Sequence, residues 1–161
     1  MGGGGPATCR VVVMTGAEKL LHEFAIWCAM QVVGTWEDWA MKNRPDDVGA
    51  PRAAIEAKVR WLAGRATAIE VADAAFAARS ARCFTAWDAR RARDAAVAAA
   101  CLDAYAAFAG AADAAANSAA WSSARASGWS APGAPAREAA KAAQRDKFFE
   151  MLKTELGEND A

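Results

Sequence analysis

The chain has 161 residues, a length that typically forms one domain around a single core. Alanine supplies 47 of them, and 40 of these alanines lie between residues 53 and 143. Because alanine is the best helix former and is depleted in strands, this composition excludes most β architectures. Nineteen basic and nineteen acidic side chains give zero formal charge, so no overall field favours nucleic acid or an anionic membrane.

Cysteine and histidine usage argues against a structural zinc site and against a disulfide framework. The four cysteines are widely spaced, and the only histidine is His22. Scattered thiols of this kind indicate a reduced, cytoplasmic setting. No segment has the roughly 18 consecutive strongly apolar residues of a transmembrane helix, and no signal-peptide pattern is present. We therefore expect no cofactor, no metal and no membrane association.

The composition predicts one helical domain over residues 15–157 between two terminal segments. A run of glycines ending at Pro6 buries nothing and loses much conformational entropy on ordering. Residues 1–14 are therefore interpreted as a disordered or non-native tail. The last four residues, 158–161, are predicted to fray.

The first predicted helix covers about Ala17–Val33. Thr15 and Glu18 have the spacing of a capping box at its start. Apolar residues cover a wide arc of this helix, so it is expected to lie at the centre of the fold. Gly34 is predicted to weaken it, with a short continuation beyond that point.

The central region predicts two more helices. Asn43–Pro51 is a clear loop, and a helix from Pro51 to about Ala63 follows it, with Gly64 as its C-cap. A capping box that begins at Thr67 opens the next helix, which is predicted to run to about Thr85. The positions expected to face inward are Ile55, Val59 and Leu62 on the first of these helices and Ile69, Ala72, Phe76 and Cys83 on the second.

The alanine-rich remainder predicts three further helices. One covers Asp88–Phe108, Gly110 is the expected break, and the next helix ends near Ala126. After a loop over Ser127–Pro135, the last helix is predicted to end near Leu156. The sequence thus predicts an all-α protein, a compact bundle of five to seven alanine-rich helices.

No arrangement of residues predicts catalysis. A nucleophilic serine or cysteine needs a nearby base, usually histidine, and His22 is interpreted as a surface or boundary residue. The spacing of Asp94, Asp103 and Asp113 does not place all three on one helical face, so they are interpreted as solvated positions. We therefore expect a protein that is not an enzyme.

An arginine-rich stretch is the strongest local charge feature. Arginines in such a group could bind phosphates. However, Asp94 is spaced to pair with Arg90 and Arg91, and no aromatic or glycine-rich pattern accompanies the arginines. A salt-bridged helix turn is favoured, and nucleic acid is an unlikely partner. The members of the stretch are Arg79, Arg82, Arg90, Arg91 and Arg93.

The tryptophans divide into two groups. Trp27, Trp61 and Trp87 lie at helical apolar positions and are expected to fill gaps between alanine faces. The others of interest lie near loops, and aromatic residues are enriched at the centres of protein interfaces. Local packing and loop capping are the alternatives for this second group. The candidate partner-binding residues are Trp36, Trp39, Asp46, Asp47, Arg52 and Trp129.

Five segments of the chain share a family pattern: residues 27–33 (WCAMQVV), 44–64 (RPDDVGAPRAAIEAKVRWLAG), 74–81 (AAFAARSA), 98–115 (AAACLDAYAAFAGAADAA) and 144–156 (QRDKFFEMLKTEL). Together they resemble the alanine-rich helical immunity proteins of bacterial toxin systems, which are also similar to short proteins of phages and mobile elements. The resemblance covers about residues 20–156 and is most specific over residues 44–64. It carries no catalytic motif, and the histidines common in the alanine-rich helices of that family are absent from this sequence.

The resemblance implies a non-enzymatic protein that binds and neutralises a protein partner, either a toxin or a component of a defence system. A phage-encoded anti-defence inhibitor, for example of a CRISPR effector, would use the same physical principle of occlusion. A small-ligand-binding or enzymatic helical bundle is the alternative from another class, because alanine faces can leave a pocket. Assembly of the chain into a homo-oligomer is a further alternative.

Overall fold

A computed structural model describes residues 14–128 and 133–159, with side chains described up to Gly157. This part of the chain contains six α-helices, one short 3-10 helix and no strand, which confirms the all-α prediction. The expected tail and the candidate residue Trp129 lie largely or wholly outside the described residues. The helices are α1 (Gly16–Asn43), α2 (Ala50–Leu62), α3 (Ala68–Ser80), α4 (Trp87–Ala99), α5 (Ala104–Ala126) and α6 (Ala134–Asn159), and the 3-10 helix is Pro45–Asp47.

Helix α1 is the centre of the bundle. The predicted capping box is present, since the Thr15 hydroxyl accepts from the Glu18 amide at 3.1 Å and the Glu18 carboxylate accepts from the Thr15 amide at 3.0 Å. The helix then continues for 28 residues without interruption at Gly34. The expected weakening at Gly34 is thus wrong. Packing of α1 against α2, α4, α5 and α6 stabilises the helix where local propensity is poor.

The boundary between α4 and α5 is also different from the prediction. The chain leaves the helix after Ala99 and begins α5 with Asp103 as N-cap, whose carboxylate accepts from the Ala106 amide at 2.7 Å. Gly110, the expected break, lies inside α5. A Cβ atom at Gly110 would be 3.0 Å from the Cβ of Ala98, so the missing side chain lets α4 and α5 approach closely.

Alanine forms most of the main core, between α1, α4 and α5. Because the facing side chains are single methyl groups, the helix axes can approach closely. The largest side chains buried among the alanines are Phe24 and Trp36, which are 2% and 0% exposed. The fully buried alanines of this core include Ala25, Ala29, Ala40, Ala89, Ala92, Ala95, Ala96, Ala99, Ala107 and Ala111.

Helices α2 and α3 pack as a pair on one side of this core. Ala54 and Ala57 of α2 meet Val71 and Ala78 of α3, and Ala100 at the end of α4 completes this smaller cluster. On the other side, α6 packs mainly against α5 and also contacts α1. None of the described helices is long and apolar enough to cross a membrane.

The last helix is longer than predicted. Helix α6 continues past Gly157 to Asn159. Phe148 and Leu152 are half-buried, whereas Leu156 is 58% exposed.

Candidate protein-binding surface

Five of the six predicted partner-binding residues are described, and they lie where the end of α1 meets the start of α2. Trp36 is fully buried, and its indole nitrogen donates to the Val48 carbonyl at 3.2 Å. Trp39 is half-buried with its ring centroid 5.4 Å from that of Trp36. Trp36 therefore fills the core and anchors the 44–49 loop, which is the local-packing alternative. Trp39 leaves part of its ring at the surface.

The charged candidates at this corner form ion pairs within the chain. Arg52 donates two hydrogen bonds to the Glu37 carboxylate, at 2.6 and 2.8 Å, and these bonds lower the pKa of Glu37. Asp47 accepts from Arg44 at 2.8 Å, while Asp46 is exposed. The structure thus brings these residues to one corner but engages most of them in holding it together.

Apolar residues are exposed on the outer face of α3, which we define as Ile69, Ala72 and Phe76. All three were predicted to face inward, and that prediction is wrong. Ile69 is 72% exposed and Phe76 is 67% exposed, and Ala72 is exposed as well. Only Cys83, beyond the end of α3, is buried as expected.

Small residues take the inward positions of α3 instead. Val71 and Ala78 are fully buried there, and Ala74 and Ala75 are half-buried beside them. At 3.6 residues per turn, the outer face spans an arc of about 60° on the opposite side of the helix. Small side chains allow α3 to approach α2 and α4 closely, so packing selects them for the inner side.

The outer face of α3 has the composition of a docking surface. Exposed Asp73 and Arg79 flank it, giving an apolar centre with a polar rim. Of the eleven large apolar side chains that are exposed among the described residues, six lie between residues 69 and 105. Phe84 and Tyr105 belong to this group, with 74% and 72% of their surface exposed. Exposed apolar surface is thus concentrated in one region of the chain.

The arginine stretch does not form a single cationic surface. Arg91 pairs with Asp94 at 3.4 Å, as its spacing predicted, and Arg93 pairs with the same carboxylate at 2.8 Å. Arg90 lies over the Trp87 ring instead, with 5.1 Å between the guanidinium and the ring centroid. The salt-bridged alternative therefore describes two of these arginines, while Arg79 and Arg82 are exposed.

Lys58 is a buried charged residue that the sequence did not indicate. Its side chain is fully buried, and its ammonium donates to the carbonyls of Ala99, at 2.9 Å, and of Cys101. These carbonyls belong to the C-terminal end of α4, where a cation is favoured. Burial lowers the pKa of Lys58 to about 8. In the sequence, only its position on the inner side of the amphipathic helix α2 indicated that Lys58 is buried.

His22 is buried as well, whereas a surface or boundary position was expected for it. It is 1% exposed, and its ring meets the edge of Trp61 at a centroid distance of 5.5 Å. Burial, together with the nearby charge of Lys58, lowers the pKa of His22 to about 4. Its Nδ1 atom has no hydrogen-bond partner among the described residues. The imidazole is thus held neutral inside the protein.

The buried Cys28 thiol is unreactive. Burial raises the pKa of the Cys28 thiol to about 12, so the thiolate does not form near neutral pH. Within residues 14–128 and 133–157, no three histidine, cysteine, aspartate or glutamate side chains are grouped so as to hold a metal ion.

Three comparisons with known proteins gave the same result: no family model, no curated protein and no solved structure matches this chain. The resemblance to alanine-rich immunity proteins therefore rests on the sequence segments alone.

Proposed function

We propose that this protein is a non-enzymatic helical protein that binds a protein partner and neutralises it by covering a functional site, as an immunity protein does. The observation that carries this proposal is the exposed outer face of α3, with Ile69 72% and Phe76 67% exposed. Burial of a large apolar side chain stabilises by about 1.5–3 kcal/mol. A partner with an apolar groove would recover this free energy for both residues.

Hydrogen bonds anchor helix α3 at both of its ends. The predicted capping box is present, with the Thr67 hydroxyl accepting from the Glu70 amide at 3.2 Å. After the helix ends, Arg93 donates to the Ala81 carbonyl at 2.6 Å. Because α3 is already helical and anchored at both ends, little ordering entropy would be lost on binding. This arrangement suits the recognition mode in which a helix lies in a groove of its partner.

The corner formed by Trp39, Asp46 and Arg52 is the second candidate contact. Its exposed carboxylate at Asp46 and the partly exposed Trp39 ring could meet a partner, although its other charges are already paired. Immunity and anti-defence roles would both use such surfaces. The products of neighbouring genes, toxins in one case and phage proteins in the other, distinguish them.

The test is co-purification of the full chain with each neighbouring gene product, followed by measurement of Kd for the complex. We expect a stoichiometric complex that the double substitution Ile69→Asp, Phe76→Asp weakens by about a hundredfold or more, since two interface anchors are lost. Leu156→Asp is the matched control, because it places the same charge at a 58% exposed leucine on α6. We expect the control to leave Kd unchanged.

Two outcomes would count against this proposal. Recovery of the free chain with every neighbouring gene product would overturn partner binding. If instead Asp46→Lys abolishes the complex while the α3 double variant retains full affinity, the interface belongs to the corner, and the outer face of α3 is not the contact surface.

A further inference from the structure

A groove between α1, α5 and α6 lies apart from the outer face of α3 and from the corner between α1 and α2. Its volume is about 420 Å³, within the range of small-molecule sites, and it is partly open to solvent. Phe24 from α1, Phe108 from α5 and Phe148 from α6 meet at its floor. Phe149, which is 58% exposed, contributes to the wall.

The phenylalanines offer ring faces and edges in a fixed arrangement. Phe24 has its ring centroid 5.2 Å from that of Phe108 and 5.4 Å from that of Phe148, the latter pair at an interplanar angle of 81°. Phe108 and Phe148 are 5.6 Å apart. Aromatic rings prefer such tilted and edge-to-face contacts, and a bound aromatic ring would extend the same pattern.

The rim of the groove is positively charged. Lys141 and Arg145 lie one turn apart on α6 and both line the groove. Neither has a carboxylate within 4 Å among the described residues, whereas Asp113 on the opposite wall is paired with Arg137 at 3.3 Å. The Gln144 amide donates to the Ala112 carbonyl at 2.9 Å, which fixes α6 against α5 at this point. Two unpaired cations thus stand above an apolar floor.

We infer that this groove binds an aromatic monocarboxylate of about two rings. The rings pack against Phe108, Phe148 and Phe149, and the carboxylate lies between Lys141 and Arg145. Arginine and carboxylate have matching planar shapes and form strong charge-assisted hydrogen bonds. The aromatic floor distinguishes this ligand from an alkyl acid, and the cationic rim distinguishes it from a neutral aromatic molecule. This inference is independent of partner binding at α3.

The experiment is a calorimetric titration of the full chain with 2-naphthylacetate, its neutral amide and decanoate. We expect saturable 1:1 binding of 2-naphthylacetate that is about tenfold or more tighter than binding of either other compound, a difference of about 1.4 kcal/mol. The double substitution Lys141→Glu, Arg145→Glu should remove this preference for the acid over the amide. Lys153→Glu, at an exposed lysine of the same helix, is the matched control and should retain it.

Thermal unfolding of each variant shows whether it remains folded before titration. Equal affinity for the acid and the amide would overturn the role of the rim, and tighter binding of decanoate would overturn the role of the rings. Absence of binding at millimolar 2-naphthylacetate would overturn the site altogether.

Discussion

Helices α1 and α3 have the same kind of sequence but different surroundings. Both carry apolar residues on every side, a pattern typical of a helix that is buried all round. In the structure α1 meets α2, α4, α5 and α6, whereas α3 has substantial contacts with α2 and α4 alone among the described residues. Neighbouring helices therefore cover most sides of α1, but they cover only one side of α3.

This difference separates two uses of apolar residues. In α1 the large side chains Phe24 and Trp36 point into the core, together with smaller buried residues such as Ala25 and Ala29. In α3 the small side chains point into the core and the large ones, Ile69 and Phe76, point to solvent. Isolated exposed apolar residues are ordinary, whereas Ile69 and Phe76 are exposed together on one face of α3.

The strongest test of the contrast removes one large aromatic side chain from each helix. Trp36→Ala should destabilise the protein by about 3–5 kcal/mol, because it leaves a cavity in a closed core. Phe76→Ala should change the free energy of unfolding by less than about 0.5 kcal/mol, because the ring is 67% exposed. Urea unfolding measures both. A destabilisation of more than about 2 kcal/mol for Phe76→Ala would mean that the outer face of α3 is covered within the folded chain.

A second test uses the pH dependence of stability that follows from the burial of His22 on α1. Its pKa is about 4 in the folded protein and 6.5 in the unfolded chain. Between these values the unfolded chain binds a proton that the folded protein does not, so stability falls as pH falls from 6.5 to 4. Above pH 6.5 this loss of stability is absent, and below pH 4 it reaches about 3 kcal/mol.

The measurement is the free energy of unfolding of the wild type and His22→Leu across this pH range. Leucine does not titrate, so the variant should lose less stability than the wild type on acidification. Parallel pH profiles for the two proteins would show that the imidazole is accessible to solvent and that α1 is not enclosed around His22.

The smallest test enlarges one alanine on each helix. Ala29→Leu should destabilise by about 1–3 kcal/mol, because Ala29 is fully buried in α1 and the added carbons overpack the core. Ala72→Leu on the outer face of α3 should be nearly neutral, and it enlarges the proposed docking surface. Thermal unfolding compares the two, and an equal loss in both would contradict the contrast between the helices.

Much of the fold was predictable because local signals coincide with it. The capping boxes at Thr15 and Thr67 and the proline at position 51 mark true helix starts. Glycine was less informative. Gly64 adopts a positive φ of 71° just beyond α2, as predicted, but Gly34 and Gly110 lie within helices because tertiary packing outweighs their weak helix propensity.

The candidate surface could not be predicted, because the sequence of α3 is apolar on both of its sides. Periodicity identifies that Ile69, Ala72 and Phe76 share a face, but the distance of approach to α2 and α4 decides which face is inward. The buried positions of Lys58 and His22 were hidden for a similar reason. Their environment comes from residues distant in sequence, such as the carbonyls of Ala99 and Cys101 around Lys58.

Because the Lys58 ammonium is buried, its chemical modification can be used to measure opening of the fold. An amine-reactive reagent meets exposed lysines such as Lys42 and Lys153 directly in the folded protein. Lys58 reacts only when α2 separates from the end of α4, because its nitrogen is enclosed by the carbonyls there. The rate at which Lys58 is modified, relative to the exposed lysines, therefore measures how often the α2 and α3 pair detaches from the alanine core.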